Sequence, residues 1–197
     1  MRELESDLSR KSDPVAVQAG RIVNRPLPKA ILPGAFNPLH QGHRKMAQVS
    51  AELLGHPVDF EISRRNVDKA TVTAGDLQQR LQEFAPDQVV WITSAATFEQ
   101  KSSLFPRVTF VVGVDTLTRI ADPLYYGGDT QGRDRSLLAF SERESRFLVF
   151  GRLVDDRFCE FADLNLPEPL RSLCRGVPRD DFRVDISSAE LRDPLSE

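Results

Sequence analysis

Two of the three histidines in the chain, His40 and His43, stand close together in a segment rich in turn-forming residues. Imidazole N–H groups donate hydrogen bonds to phosphate oxygens, so a pair of histidines in one turn suits phosphate chemistry. The plainer alternative is that both side chains only cap or pack the turn. The segment reads Leu32-Pro33-Gly34-Ala35-Phe36-Asn37-Pro38-Leu39-His40-Gln41-Gly42-His43.

The elements on either side of this turn indicate where the histidines lie. The apolar run at residues 30–32 is typical of a short buried strand, and apolar residues recur at helical spacing over residues 44–54. A helix start offers unpaired backbone N–H groups and the positive end of the helix dipole. The segment therefore predicts an anion-binding junction between a strand and a helix.

A second segment, near the C-terminus, has the pattern of a capped helix start. A serine at the N-cap accepts a hydrogen bond from an early helical N–H, which leaves later amides and the Ser188 hydroxyl for a phosphate. Arg192 stands one turn further on, and its guanidinium fork matches phosphate oxygens. An ordinary cap before a short amphipathic tail is the alternative. The segment reads Asp185-Ile186-Ser187-Ser188-Ala189-Glu190-Leu191-Arg192.

The first segment resembles the G-x-F-N-P-x-H-x-G-H signature of the nucleotidylyltransferase superfamily. That superfamily includes nicotinamide- and nicotinate-mononucleotide adenylyltransferases, phosphopantetheine adenylyltransferase and several cytidylyltransferases. The second segment resembles the I-S-S-T-x-x-R marker of the superfamily, with Ala189 at the position of the threonine. The resemblance covers residues 29–192 and implies a Rossmann-like three-layer α/β sandwich with a five-stranded parallel sheet.

The resemblance also implies the roles of the site residues. His40, His43 and Arg192 are expected to be catalytic, as donors to a nucleoside triphosphate and not as general bases. Mg²⁺ is expected to accompany the triphosphate, mostly through water, and no side chain is identified as a metal ligand. The residues expected to bind the nucleotide are Gly34, Ala35, Phe36, Asn37, His40, His43, Gly113, Asp115, Arg152, Ser187, Ser188 and Arg192.

Several of these nucleotide-binding residues follow predicted strands. Gly113 and Asp115 form a Gly-x-Asp turn similar to the family turn whose aspartate reaches the ribose, and helix capping is the alternative role for Asp115. Arg152 follows the last long strand, where contact with a phosphate or base competes with a solvated surface role. Gly151 before it permits close backbone approach.

The second substrate is expected to bind beside the second and third strands. In the mononucleotide adenylyltransferases a lysine after strand two handles phosphate, and an aromatic residue and a threonine after strand three hold the pyridine ring. Lys69, Thr97 and Phe98 are similar in position, and Lys101 lies one turn further on. Trp91 lies inside a predicted strand and is expected in the core.

Strand-like runs at residues 30–32, 58–62, 89–93, 108–112 and 146–150 alternate with helical stretches, which predicts a parallel sheet. Ligands of such sheets bind outside the carboxyl ends of the strands, at the point where the strand order switches. The histidine turn follows the first strand. Residues 1–28 are expected to form a polar extension and linker, with weak helical periodicity at Leu4, Leu8, Val15 and Val17, ahead of a domain at 29–197.

Composition excludes several classes of protein. The 197 residues, of which 40% are hydrophobic, are enough for one sizeable core, and a net charge of −3 argues against nucleic acid as a partner. No segment is apolar enough for a signal peptide or a membrane span, so a cytoplasmic protein is expected. Cys159 and Cys174 lack metal-ligand spacing and are expected to be free thiols in a reducing compartment.

The sequence thus predicts a nucleotidylyltransferase, most simply an adenylyltransferase that joins ATP to a pyridine mononucleotide in NAD biosynthesis and releases pyrophosphate. Cytidylyl or adenylyl transfer to another acceptor, such as phosphopantetheine, is the nearest alternative. A non-catalytic nucleotide-binding module is the alternative from another class. The base of the triphosphate, the acceptor and any homo-oligomeric state stay open. A class I aminoacyl-tRNA synthetase is excluded, because the chain is too short and lacks a K-M-S-K-S loop.

Overall fold

The computed structural model describes residues 14–65, 72–154 and 157–182. Its strands fall into one large sheet and one short hairpin formed by β8 and β9. In chain order the strands are β1 (Val15–Gln18), β2 (Arg21–Val23), β3 (Ala30–Pro33), β4 (Asp59–Ser63), β5 (Val89–Thr93), β6 (Thr109–Gly113), β7 (Arg146–Phe150), β8 (Arg152–Val154), β9 (Arg157–Cys159) and β10 (Cys174–Val177).

Helices follow most of the strands, as the alternating pattern predicts. Two short 3₁₀ turns, Pro123–Tyr126 and Phe161–Asp163, complete the helical segments of the described residues. The helices are α1 (Gln41–Leu54), α2 (Ala74–Leu81), α3 (Phe98–Leu104), α4 (Val114–Ala121), α5 (Thr130–Glu142) and α6 (Glu168–Arg171).

The large sheet has the order β10-β7-β6-β3-β4-β5-β1-β2. The strands from β10 to β5 are parallel to their neighbours, whereas β1 and β2 are antiparallel. The predicted α/β class and parallel sheet are confirmed, and the five predicted strands are consecutive neighbours. The predicted strand count is too low, since the described residues form an eight-stranded sheet.

The helical periodicity assigned to Val15 and Val17 is wrong, because both residues lie in β1. This strand pairs with the edge of β5, where Val15 is opposite Ile92 and Val17 is opposite Val90. Pairing satisfies backbone groups that an open edge would leave to solvent. The turn into β2 is tight, with positive φ at both Ala19 and Gly20. Leu4 and Leu8 lie outside the described residues.

Side chains alternate between the two faces of the sheet and create two apolar layers. One layer joins strand residues to α1 and α2, and it includes Leu32 and Ile62. The other joins strand residues to α4, α5 and α6, and it includes Ile31 and Trp91. Trp91 is 3% exposed, which confirms its predicted place in the core. The result is a three-layer sandwich.

The strand order places a switch point next to β3. From β3 the chain passes through α1 to β4 on one side, and after β5 it returns to β6 on the other side of β3. Parallel strands end at the same edge, so the loops after β3 and β6 diverge at this point. This crevice is where doubly wound sheets bind ligands.

Both cysteines are free thiols in the structure, as predicted. Burial raises the pKa of Cys174 to about 12 and also raises the pKa of Cys159. A thiol that stays protonated at neutral pH is a poor nucleophile. None of the described helices combines the length and the apolar character that crossing a membrane requires.

Candidate active site

The loop from Gly34 to His40 leaves β3 at its carboxyl end, as the sequence predicts, and α1 begins directly after His40. The Gly34 N–H donates to the Glu61 carbonyl oxygen at 2.9 Å, so the loop starts fixed to the end of β4. A Cβ at residue 34 would lie 2.7 Å from the Phe36 ring. Glycine is needed there because a buried aromatic ring fills the space.

Phe36 anchors the loop from inside. The residue has a φ of 43° and its side chain is 1% exposed. Its ring meets His43, Phe60 and Phe84 edge-on, at centroid distances of 4.9, 5.4 and 5.5 Å. Among the residues expected to bind nucleotide, Phe36 therefore has its ring in the core, and only its backbone belongs to the loop surface.

The two histidines form one unit at the start of α1. Their rings stack with centroids 3.7 Å apart and an interplanar angle of 26°. His40 is the N-cap residue, and its backbone N–H lies 3.4 Å from Nδ1 of His43, which accepts it. Because Nδ1 is an acceptor in this arrangement, the proton of a neutral His43 is on Nε2.

His43 is neutral at physiological pH. Burial, with a smaller contribution from the neighbouring His40, lowers the pKa of His43 from 6.5 to about 3. A neutral imidazole with its proton on Nε2 can donate a hydrogen bond to a phosphate oxygen. Together with the helix start, this donor makes the turn suited to an anion.

Helix α2 and the residues directly after it support the histidine loop from the outside. Arg80 donates to the Ala35 carbonyl oxygen at 2.9 Å, and the Glu83 carboxylate accepts from the Leu39 N–H at 2.6 Å. Arg44 in α1 donates to the Glu83 carbonyl oxygen at 2.6 Å. Asn37 is exposed in the middle of the loop, and its peptide bond to Pro38 is cis. These contacts hold the loop near both of its ends.

Asp115 and Arg152 meet across the carboxyl ends of β6 and β7. An Arg152 guanidinium N–H donates to the Asp115 carboxylate at 2.9 Å, and their side chains are 41% and 39% exposed. Asp115 lies in the first turn of α4, behind the N-cap residue Gly113, where its charge also suits the helix dipole. The structure therefore brings two predicted nucleotide-binding residues into direct contact.

Two glycines here lie close to other groups of the chain, and only Gly151 also meets a backbone atom, the Cys159 carbonyl oxygen. A Cβ at Gly113 would lie 2.6 Å from Oδ1 of Asp115, and a Cβ at Gly151 would lie 2.8 Å from the Phe158 ring. The close approach predicted at Gly151 is therefore to the β8–β9 hairpin. We call the ends of β3, β6 and β7 with their following loops the nucleotide side of the site.

The ends of β4 and β5 with their following residues form the other part of the edge, which we call the acceptor side. Thr97 caps α3 by accepting from the Gln100 N–H at 3.2 Å. Phe98 packs onto Phe110 in the core, at a centroid distance of 5.3 Å. Lys101 is 5% exposed and its ammonium lies 2.5 Å from the Glu61 carboxylate.

Sequence reasoning missed two charged residues on the acceptor side. Glu61 is fully buried between the core residues Phe60 and Ile62, in a strand that alternates polar and apolar residues, a pattern typical of a half-exposed strand. Arg64 follows β4 and donates to the Ser94 hydroxyl at 2.9 Å, which bridges the ends of β4 and β5. Its Nε is buried and has no hydrogen-bond partner within the part of the chain that the structure describes.

Four of the predicted site residues lie outside the described residues, namely Lys69, Ser187, Ser188 and Arg192. Over residues 14–65, 72–154 and 157–182, no group of three or more histidine, cysteine, aspartate or glutamate side chains is arranged to hold a metal ion.

The cytidylyltransferase-like family matches residues 31–193, which is most of the chain. The chain therefore belongs to the cytidylyltransferase-like family, and the resemblance to the nucleotidylyltransferase superfamily is confirmed. The family supports a nucleotidyltransferase activity in general, with a nucleotide as substrate. No curated protein matches the chain significantly.

Proposed function

We propose that the protein transfers a nucleoside monophosphate from a nucleoside triphosphate to a phosphate-bearing acceptor and releases pyrophosphate. ATP and a pyridine mononucleotide are the proposed donor and acceptor. The observation that carries the proposal is the stacked histidine pair at the start of α1, where His43 is neutral and has its proton on Nε2. This pair follows the carboxyl end of β3, at the switch point of the sheet.

The reaction needs positioning and charge stabilisation more than proton transfer. An oxygen of the acceptor phosphate attacks the α-phosphorus, the bond to the bridging oxygen breaks, and pyrophosphate leaves with the electron pair. Negative charge grows on the bridging and leaving oxygens, and preorganised donors stabilise it. The Nε2–H of His43, the side chain of His40 and the first backbone amides of α1 would supply such donors.

The polar residues of the nucleotide side fit this assignment. Asp115 offers a carboxylate that can accept hydrogen bonds from ribose hydroxyls, and Arg152 beside it can donate hydrogen bonds to a phosphate oxygen. Both side chains are about two-fifths exposed, so a ligand can reach them. Arg192 and the serines Ser187 and Ser188 are proposed to bind the same triphosphate.

Mg²⁺ is proposed to arrive with the triphosphate. The residues present fit that mode, because Asp115 is the one carboxylate that we place on the nucleotide side and it is already paired with Arg152. Mg²⁺ prefers phosphate oxygens and several waters to an all-protein cage. When bound, it would neutralise charge on the β- and γ-phosphates.

A second candidate is transfer to a different acceptor, from CTP or ATP, and the packing of α3 favours it. Phe98 lies against Phe110 in the core, and Lys101 is committed to Glu61. Two side chains expected to hold a pyridine mononucleotide are therefore engaged elsewhere. Arg64 would then supply the cation for an anionic acceptor.

The test is a matrix of donors and acceptors with the purified protein and Mg²⁺. ATP, CTP and GTP are each combined with nicotinamide mononucleotide, nicotinate mononucleotide or phosphopantetheine, and pyrophosphate and product mass are measured. Acceptor-dependent release with ATP and a pyridine mononucleotide is the expected result. Release with another pair supports the second candidate. Triphosphate binding, measured by thermal shift, without release from any pair would identify a non-catalytic binding module.

A further inference from the structure

Three polar or charged side chains, those of Glu61, Thr93 and Lys101, are buried together near the end of β4, on the face of the sheet that packs against α3. Glu61 is 0% exposed, and its two carboxylate oxygens accept from the Lys101 ammonium at 2.5 Å and from the Thr93 hydroxyl at 2.6 Å. Thr93 is likewise 0% exposed. Each oxygen of this buried carboxylate therefore has a side-chain donor within the protein.

Stability alone is a weak reason for such a cluster. Removing two charges from water costs several kcal/mol per ion, and well-packed neutral replacements of a buried ion pair are often neutral or stabilising. A neutral pair of similar shape could replace Glu61 and Lys101 without loss of stability. The charged pair therefore points to a role in fixing geometry. The position of this pair, at the carboxyl edge of the sheet, indicates which geometry is fixed.

Three segments around the site are tied to residues of this cluster, one through the main chain of Glu61 and two through the side chains of Thr93 and Lys101. The Glu61 carbonyl oxygen accepts from the Gly34 N–H at 2.9 Å, which fixes the start of the histidine loop. The Thr93 hydroxyl accepts from the Ala95 N–H at 3.3 Å, which fixes the start of the connection from β5 to α3. Lys101 is the fourth residue of α3 and ties that helix to the end of β4.

We propose that Glu61 is a positioning residue, held by Lys101 and Thr93, that aligns the acceptor side with the histidine loop for the transfer step. Lys101 is then part of the frame and not a ligand of the acceptor. The kinetic part of this inference rests on the proposed function. The structural part, the fixing of the Gly34 N–H, does not.

The main test is the double variant Glu61→Gln/Lys101→Met, which removes both charges, leaves none unpaired and keeps both side-chain shapes. The matched control is Asp59→Asn/Trp91→Phe, which removes the 2.8 Å hydrogen bond that joins the same two strands two residues earlier in each, from Trp91 to Asp59. Measured quantities are kcat, the acceptor KM, the Kd for the triphosphate, and hydrogen exchange at the Gly34 amide. The Phe147 amide, bonded to the Leu173 carbonyl oxygen, is the internal reference.

In the folded double variant we expect kcat/KM for the acceptor to fall at least about tenfold, because small misplacements of reacting groups are costly. The triphosphate Kd should change less than about twofold, and the Gly34 amide should exchange at least about tenfold faster, while the Phe147 amide is unchanged. The control variant should match the wild type in all four quantities.

Wild-type kinetics and wild-type Gly34 exchange in the folded double variant would overturn the inference. If the wild type releases no pyrophosphate with any substrate pair, the proposed function fails, and Gly34 exchange alone then decides whether Glu61 positions the loop. If the double variant does not fold, Thr93→Val takes its place, because it removes one neutral partner of Glu61 without changing the charge. Its Gly34 amide should exchange about threefold faster, and an unchanged rate would overturn the inference.

Discussion

Among the described residues, each side of the site contains an ion pair, and these two pairs differ in exposure. On the nucleotide side, Arg152 and Asp115 are 2.9 Å apart with side chains 41% and 39% exposed. On the acceptor side, Lys101 and Glu61 are 2.5 Å apart with side chains 7% and 0% exposed. An exposed pair can exchange its partners for a ligand at low cost, whereas a buried pair cannot.

Under the proposed function, this difference assigns ligand binding to one part of the sheet edge and positioning to the other. The nucleotide side presents groups that a ligand can take over, namely Asp115, Arg152 and the neutral His43. The acceptor side contains a fixed frame built on Glu61, and the partly buried Arg64 stands after β4 beside it. Both sides meet at Gly34, whose N–H is bonded to Glu61 and whose loop leads to the histidines.

The largest expected effect is the loss of unfolding free energy when the buried ion pair is broken, compared with the loss when the exposed pair is broken. Lys101→Met leaves the Glu61 carboxylate buried without its cation, so the free energy of unfolding should fall by about 3–5 kcal/mol. Arg152→Met breaks the exposed pair and should cost less than about 1 kcal/mol. Urea unfolding of both variants measures the contrast. Equal losses in the two variants would show that exposure does not distinguish the pairs.

The next largest effect should be on turnover and should be confined to the nucleotide side. His43→Ala removes a preorganised donor to the charge that develops on phosphate, so kcat should fall roughly 10²–10³-fold with little loss of fold. His56→Ala is the matched control, because His56 precedes β4 at the opposite edge of the sheet. Steady-state kinetics measure kcat for both variants, and circular dichroism checks that both are folded. A wild-type kcat in His43→Ala would remove the histidine pair from the mechanism.

A smaller effect is expected when the exposed pair is altered without changing side-chain size. Asp115→Asn should raise the KM for the triphosphate about tenfold, since a hydrogen bond to a charged acceptor contributes about 1.5 kcal/mol or more. Its stability should change by less than about 1 kcal/mol. Asp134→Asn, which removes a surface carboxylate paired with Arg133 at 2.8 Å, is the control and should leave KM unchanged. An unaltered KM in Asp115→Asn would assign Asp115 to the helix start alone.

The last expected effect concerns the protonation state of His43, and it develops only as the pH is lowered. Its pKa is lowered to about 3 in the folded protein, so between pH 6.5 and 3 the unfolded chain binds a proton that the folded chain does not. Stability is therefore lost as pH falls through this window, by up to about 1.4 kcal/mol per pH unit. His43→Gln lacks this dependence. We expect the difference in unfolding free energy between wild type and variant to shift in favour of the variant from pH 6.5 to pH 4.5. A constant difference would contradict the neutral, buried state of His43.

The parallel part of the sheet could be predicted from the sequence because its signals are local. Four of the five predicted strands are mostly apolar, the one at 58–62 alternates apolar and polar residues, and the turn residues around His40 mark the first helix start. The strand β1 was missed because it has only four residues, too few to distinguish the spacing of a strand from that of a helix. Its assignment depends on pairing with β5, a contact over more than seventy residues.

The positions of several candidate site residues could be predicted to a similar degree, and their roles stay predictions. His40 and His43 follow from a turn at a strand end, and Asp115 follows from a Gly-x-Asp turn. The sequence alone did not show that Lys101 faces the core, because spacing along α3 gives its position and not its partner. The partner, Glu61, is forty residues away, and only the sheet brings the two together.

The most direct test of nucleotidylyl transfer at the histidine pair is the stoichiometry of products. The wild type is incubated with ATP and nicotinamide mononucleotide, and pyrophosphate and the joined dinucleotide are quantified by mass spectrometry in the same sample. The account predicts one pyrophosphate for each dinucleotide formed, no release without the acceptor, and loss of both products together in His43→Ala. Release of inorganic phosphate from the triphosphate, or equal product formation by the wild type and His43→Ala, would contradict it.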